Sequence, residues 1–246
     1  MLNRLPGRSF RQAIPIAQSA RALPGRYSRS ALATRLNVAA GTANVASIVV
    51  APGVTLTTAA AGAQEFDGTA FYMTAAAASR QVADAEQFMS LTAINTLASQ
   101  TAAQKIFNTP ANGTVTVAGA TTYFFECVFS LTALSAVSGS FGFAFGGTAT
   151  FTSQAWTTQA AKVAAAATPA ALETTFNTAA NAAIVTASIN TVGVVRVFGI
   201  VRILAAGTLI PQVSLGVAAA AVVGVNSYFR LWPVGSNTVT AVGNMS

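Results

Sequence analysis

The chain has 246 residues, 53% of them hydrophobic and only 8% charged, with a formal net charge of +7 and no histidine. Without imidazole, catalytic triads and histidine-bearing metal sites are excluded, and the single cysteine, Cys127, excludes an intrachain disulfide and a cysteine cluster for zinc. Charged residues ordinarily make up about a quarter of a soluble chain, so this surface of Ala, Thr, Ser, Asn and Gly is weakly protected against association and suits cover by identical neighbours or a larger assembly.

The charge is unevenly placed. Arg4, Arg8, Arg11, Arg21, Arg26, Arg29 and Arg35 occur without one Asp or Glu among them, whereas residues 36–246 carry six basic and six acidic side chains. The sequence therefore divides into a basic N-terminal arm, residues 1–50, and a neutral body. Within the arm Leu5-Pro6-Gly7-Arg8-Ser9 returns as Leu23-Pro24-Gly25-Arg26-Tyr27-Ser28. Pro followed by Gly favours a turn, so the arm reads as extended and turn-rich, each copy presenting an arginine at a bend. Docking onto an acidic protein surface is the expected use, with a solvated tail as the alternative. Nucleic acid is disfavoured, because only Phe10 and Tyr27 are available to interleave with the charge. An acid-free, Arg-rich start also fits a transit peptide, but Pro6, Pro15 and Pro24 interrupt the amphipathic helix this needs.

Residues 36–63 read as a connecting region, with candidate strands at 47–50 and 54–57 split by Pro52-Gly53. Residues 51–80 are expected to form a β-hairpin neck, because Asp67-Gly68 stands between two aromatic β-forming runs and predicts a type I′ turn. Residues 81–246 are expected to form the β-domain. One short helix is predicted there: Thr101 and Gln104 fit a capping box, Ala102, Ala103, Lys105 and Ile106 favour helix, and Asn108 and Pro110 end it. The Ala-rich stretch 155–167 reads equally as a helix by propensity or as a loop or edge strand.

Elsewhere the apolar residues recur every second position, the signature of half-buried strands. In residues 122–131 the odd positions are Tyr123, Phe125, Cys127, Phe129 and Leu131, and in 139–147 they include Phe141, Phe143 and Phe145. Both stripes are assigned to the core. In residues 194–204 the odd face is wholly apolar, while the even face places Arg196 and Arg202 among Val194, Phe198, Ile200 and Leu204. In 227–233, Arg230 shares a face with Tyr228 and Trp232. Arginine stacked on aromatics, or paired with Glu126 or Glu173 across the sheet, is a common interface device. Arg196, Arg202, Tyr228, Arg230 and Trp232 are therefore expected at a subunit contact, with ion pairing inside one sandwich as the alternative.

Two carboxylate pairs, Glu65 with Asp67 and Asp84 with Glu86, sit at i, i+2 and so on one face of a strand. Such pairs can run glycoside hydrolysis at separations of about 5 to 9.5 Å or hold calcium. The plainer reading gives Asp67 to the turn and leaves Asp84 and Glu86 solvated or neutralising Arg80. Gly146-Gly147 lacks the following Lys or helix of a phosphate-binding loop. The expectation is a protein that is not an enzyme and carries no cofactor or metal. Mean hydropathy is +0.56, yet the longest uncharged run, 203–229, contains Pro211, Gln212, Ser214 and Asn226, leaving an apolar centre shorter than the roughly 20 residues of a spanning helix. No membrane association is expected, although an outer-membrane barrel of alternating strands remains an alternative.

Residues 52–57 (Pro-Gly-Val-Thr-Leu-Thr) and 62–72 (Gly-Ala-Gln-Glu-Phe-Asp-Gly-Thr-Ala-Phe-Tyr) resemble the neck module of virion fibre and decoration proteins of tailed bacteriophages. Thr122-Tyr123-Phe124-Phe125-Glu126, Phe145-Gly146-Gly147-Thr148-Ala149-Thr150 and Ser227-Tyr228-Phe229-Arg230-Leu231-Trp232-Pro233 are similar to the β-rich head of the same proteins. The resemblance spans residues 52–232 and not the arm. It implies an all-β, jelly-roll-like antiparallel β-sandwich, a homotrimer exposed on the virion surface and bound to other virion proteins of capsid, neck or tail. Two functions are compatible with it: a head fibre or decoration protein, or a tail fibre that recognises a host glycan. The mostly Ala loops favour the first.

Overall fold

A computed structural model describes residues 40–44, 46–76, 79–83, 85–108, 113–135, 139–162, 172–177, 181–185 and 192–242. The seven arm arginines, from Arg4 to Arg35, lie outside the described residues, as do Asp84 and the side chain of Glu173. The chain divides between Val49 and Val50 into two units, and every described strand belongs to the second.

In chain order the strands are β1 (Gln64–Phe66), β2 (Phe71–Ala76), β3 (Ser79–Ala83), β4 (Gln87–Ser90), β5 (Asn95–Thr96), β6 (Gln104–Lys105), β7 (Val115–Val117), β8 (Thr121–Thr132), β9 (Phe141–Gly146), β10 (Thr150–Lys162), β11 (Leu172–Asn177), β12 (Asn181–Val185), β13 (Val192–Ala205), β14 (Gly207–Leu215), β15 (Val222–Val223) and β16 (Tyr228–Ser236). They form three antiparallel sheets. The first is β1-β2-β3. The second has eight strands, running β11-β10-β13-β8 and continuing from β8 to β16 with β4 and to β15 with β5. The third has five, running β12-β9-β14-β6 with β7 also on β14. From β8 onward the chain passes repeatedly between the two larger sheets, a habit of jelly-roll folds. The protein is thus an all-β antiparallel sandwich.

The period-2 pattern explains the core. Tyr123, Phe125, Cys127, Phe129 and Leu131 on β8 are all buried, and they meet Phe141 and Phe143 of β9. Phe125 touches three rings, with centroids 6.3 Å from Phe143, 4.9 Å from Phe145 and 6.3 Å from Phe229. Each fully buried aromatic contributes on the order of 2 to 3 kcal/mol before chain entropy is subtracted. Val195, Val197, Val201 and Ile203 of β13 complete the layer. Gly199 interrupts their face for a steric reason: a Cβ there would lie 2.2 Å from the Ala155 carbonyl oxygen and 2.7 Å from the Trp156 Cβ.

Three local expectations are corrected and one open alternative is resolved. The predicted helix around Thr101 and Gln104 is absent; Gln104 lies in β6. Two helical turns contribute too few hydrogen bonds to offset nucleation, and adjacent Ile106 and Phe107 are both fully buried. The Gln104 side chain instead clamps a loop, its Oε1 accepting from Ala98 N at 2.7 Å and its Nε2 donating to Ala98 O at 3.0 Å. The expected strands at 47–50 and 54–57 do not form, and Val54 is fully exposed. The ambiguous stretch from Ala155 is strand through Lys162. The neck hairpin exists, but Phe66 pairs with Phe71, so its loop has four residues rather than the two of a type I′ turn. The Asp67 carboxylate organises that loop, accepting from Thr69 N and Thr69 Oγ1 at 2.7 Å and from Ala70 N at 2.8 Å. Gly68 supplies the positive φ, +96°. A third strand, β3, joins the hairpin and runs past the expected boundary at residue 80.

Candidate functional site: the outer face of the eight-stranded sheet

Alternation that sends odd residues of β8 and β13 inward sends the even ones out. Cross-strand register arranges them in rows. Arg196 lies opposite Val128, which lies opposite Tyr228; Phe198, Glu126 and Arg230 form the next row, and Ile200, Phe124 and Trp232 the one after. Strand β4 extends the face on the far side of β16, with Phe88 opposite Arg230.

Glu126 is its electrostatic centre. Arg196 Nε donates to Glu126 Oε1 at 2.5 Å and the Tyr228 hydroxyl to Oε2 at 3.4 Å. Burial and the neighbouring Glu126 charge push the Tyr228 hydroxyl above its ordinary pKa. Arg196 lies over the Phe198 ring at 4.6 Å, and Arg230 over Trp232 at 4.7 Å. Arg230 Nη2 also reaches Glu86 Oε2 at 3.3 Å. Phe124 stacks on Trp232 and Phe88 on Tyr228, both with centroids 5.9 Å apart. Despite these contacts Phe88, Phe124, Val194 and Leu204 remain exposed, Phe88 by 60% and Leu204 by 59%.

Of the five residues expected at a subunit contact, Arg196, Tyr228, Arg230 and Trp232 therefore sit together around Glu126. Arg202 shares the sheet but is turned to one end, donating through Nη1 to the Asn237 carbonyl at 2.8 Å and to Thr122 Oγ1 at 3.3 Å. Arg230 pairs with Glu86, and of its two expected partners Glu126 is taken by Arg196 while the Glu173 side chain lies outside the described residues. Phe88 went unassigned because the four-residue β4 is too short to show a period, and Glu86, expected to be solvated or to neutralise Arg80, pairs with Arg230 instead.

The remaining carboxylates have local tasks. Glu65 accepts from Leu56 N at 2.5 Å and from Arg80 Nε at 2.9 Å and so neutralises Arg80, while Glu86 pairs with Arg230; Asp84 lies outside the described residues. The Leu56 amide, with Arg80, holds its carboxyl below the ordinary range. Burial pushes the Asp67 carboxyl up, but the Tyr72 hydroxyl, donating at 2.6 Å, and the loop amides outweigh it and leave it lowered. Both oxygens of the Glu65 and Asp67 pair are thus committed to protein donors. Among the described residues no group of three or more His, Cys, Asp or Glu could hold a metal ion, and no helix is long and apolar enough to cross a membrane.

Three concavities, of about 270 Å³ beside Ser140 and Ser214, 330 Å³ among Asn95, Gln104 and Gln212, and 220 Å³ beside Phe71 and Met73, fall at or under the lower end of the ~300 to 1,000 Å³ usual for ligand sites. Chemically, the outer face offers exposed aromatic and aliphatic side chains beside two ion pairs. Comparison with protein-family models, curated proteins and solved structures finds no match to this chain.

Proposed function

We propose that the chain is a non-enzymatic structural protein of a tailed-phage particle, anchored through residues 1–50 to capsid or neck and projecting a trimeric β-domain as a head fibre or decoration protein. The observation that carries this reading is the charge division. Seven arginines precede a body of balanced charge, and each described carboxylate of that body already has an internal partner: Glu65 with Arg80, Asp67 with Tyr72 and its loop, Glu86 with Arg230, Glu126 with Arg196. The arm's charge suits an acidic surface on another molecule. A rigid sandwich with an aromatic, arginine-bearing face suits self-assembly.

The second reading, a tail adhesin that recognises a host glycan, has one observation in its favour, since aromatic and acidic side chains do converge on the outer face. Yet Phe124 and Trp232 are stacked on each other at an interplanar angle of 15°. The ring faces turned to each other are closed to a sugar, and Arg230 also lies over the Trp232 ring at 4.7 Å. The structural reading is preferred.

Deleting residues 1–35 tests it. The truncated chain is expected to keep its strand content by circular dichroism and to be missing from purified particles that incorporate the full chain. Incorporation of the truncated chain would refute the anchor, and imaging of particles labelled at the C-terminus distinguishes head from tail.

A further inference from the structure

We infer that the outer face of the eight-stranded sheet, centred on Phe124, Glu126, Arg230 and Trp232, docks against a second copy of this chain. The inference deepens the structural reading above, sharing with it the requirement for self-association and adding the surface.

Size is the first argument. Strands β10, β13, β8, β16 and β4 lie side by side; at ~4.8 Å between strands and ~3.3 Å per residue they present roughly 700 Å², close to the ~800 Å² that each partner commits to a stable interface. Composition is the second. Tyr228, Trp232, Phe88, Phe124 and three arginines occupy the face, and these residue types are enriched at the centres of interfaces. Four of its large apolar side chains, Phe88, Phe124, Val194 and Leu204, remain exposed in the single chain.

Charge selects the occupant. Arg196 pairs with Glu126 and Arg230 with Glu86, two matched pairs on the face, while Arg202 is held at one end by the Asn237 carbonyl. The chain's own arm, with seven arginines and no acid in residues 1–35, would find both carboxylates of the face already paired. A strongly acidic or basic foreign surface would break pairs that are already matched. Around a three-fold axis, neighbouring copies of the same sheet bring both signs in the same proportion. The Arg230 and Glu86 side chains, 37% and 32% exposed, are free enough to exchange partners across such a contact. In the free chain this pair gains little, because solvent screens it; covered by a second sheet it would be shielded.

The test uses the full chain. Sedimentation of the wild type at micromolar concentration is expected to give a multiple of the chain mass, and the double variant Phe124→Asp, Leu204→Asp to give a single chain with the same strand signal. Should that variant fail to fold, Phe88→Cys supplies the second measurement. Cys127 is fully buried, and that burial holds its thiol well above its ordinary pKa, so maleimide reports on the introduced thiol alone. Its labelling is expected to slow as concentration raises the mass.

A folded aspartate variant that keeps the wild-type mass, or labelling indifferent to mass, overturns the inference while leaving the structural reading intact. A wild type that stays a single chain overturns the inference together with the trimer. Faster labelling of single chains after removal of residues 1–35 would make the arm the occupant and refute the inference as well.

Discussion

Phe124 and Phe125 are neighbours in sequence and opposites in the account, and replacing each by alanine separates packing from assembly. Phe125 is fully buried against Phe143, Phe145 and Phe229. Its truncation removes a ring's transfer free energy and leaves a cavity among rings that cannot collapse, a loss of about 3 to 5 kcal/mol. Phe124 is 43% exposed and touches chiefly Trp232, so its truncation costs the folded single chain about 1 kcal/mol or less. Urea unfolding, followed by far-UV dichroism at a concentration low enough to hold single chains, reads the difference. With an m-value of about 2 to 3 kcal/mol/M, Phe125→Ala lowers the midpoint by more than about 1 M and Phe124→Ala by under about 0.5 M. At higher concentration the ranking by assembly reverses: Phe124→Ala weakens association, while Phe125→Ala, where it folds, associates as the wild type does. Equal midpoint shifts would refute the inward and outward assignment of β8, and unchanged association of Phe124→Ala would refute its contact role.

Other outcomes follow from single contacts. Gly199→Ala places a methyl group 2.2 Å from the Ala155 carbonyl oxygen, and the overpacking is expected to cost about 1 to 3 kcal/mol, seen as a thermal midpoint roughly 2 to 10 °C lower; an unchanged midpoint would show that β10 and β13 are not so close. Gln104→Leu removes the clamp on Ala98 and is expected to speed proteolysis between residues 97 and 104, an effect that a helix-capping Gln would not produce in that loop. The lowered Asp67 carboxyl gives stability that is complete above the unfolded-state pKa and lost as pH falls through the lower folded value; melting is therefore expected to weaken below pH of about 4 in the wild type and less so in Asp67→Asn. Arg196→Glu sets two carboxylates against each other at Glu126, and more loss of association than of stability is expected, since Arg196 is about half exposed.

The sequence made the sandwich legible wherever a strand is long and buried on one side. In β8, β9 and β13 the alternation of large apolar with small or polar residues is a direct print of the pleat. It fell silent on β14, where Pro211 sits inside the strand, buried and paired with Phe145, because proline argues against a central strand unless its missing donor is tolerated locally. It misled at Gln104, where a capping pattern of four residues competed with two buried neighbours, and tertiary burial won. The face with Arg196 and Trp232 could be read one strand at a time. Its assembly around Glu126 could not, since that rests on register between residues 70 and 102 apart in the chain. Asp67 was rightly assigned to a turn, but the turn's length depended on where its carboxylate found donors.

The claim that most needs testing is that this neutral β-domain exists as an assembly. Sedimentation equilibrium of the full chain at micromolar concentration addresses it directly. A mass of three chains, each of 24.9 kDa, is expected; a stable single chain over the same concentration range would contradict assembly.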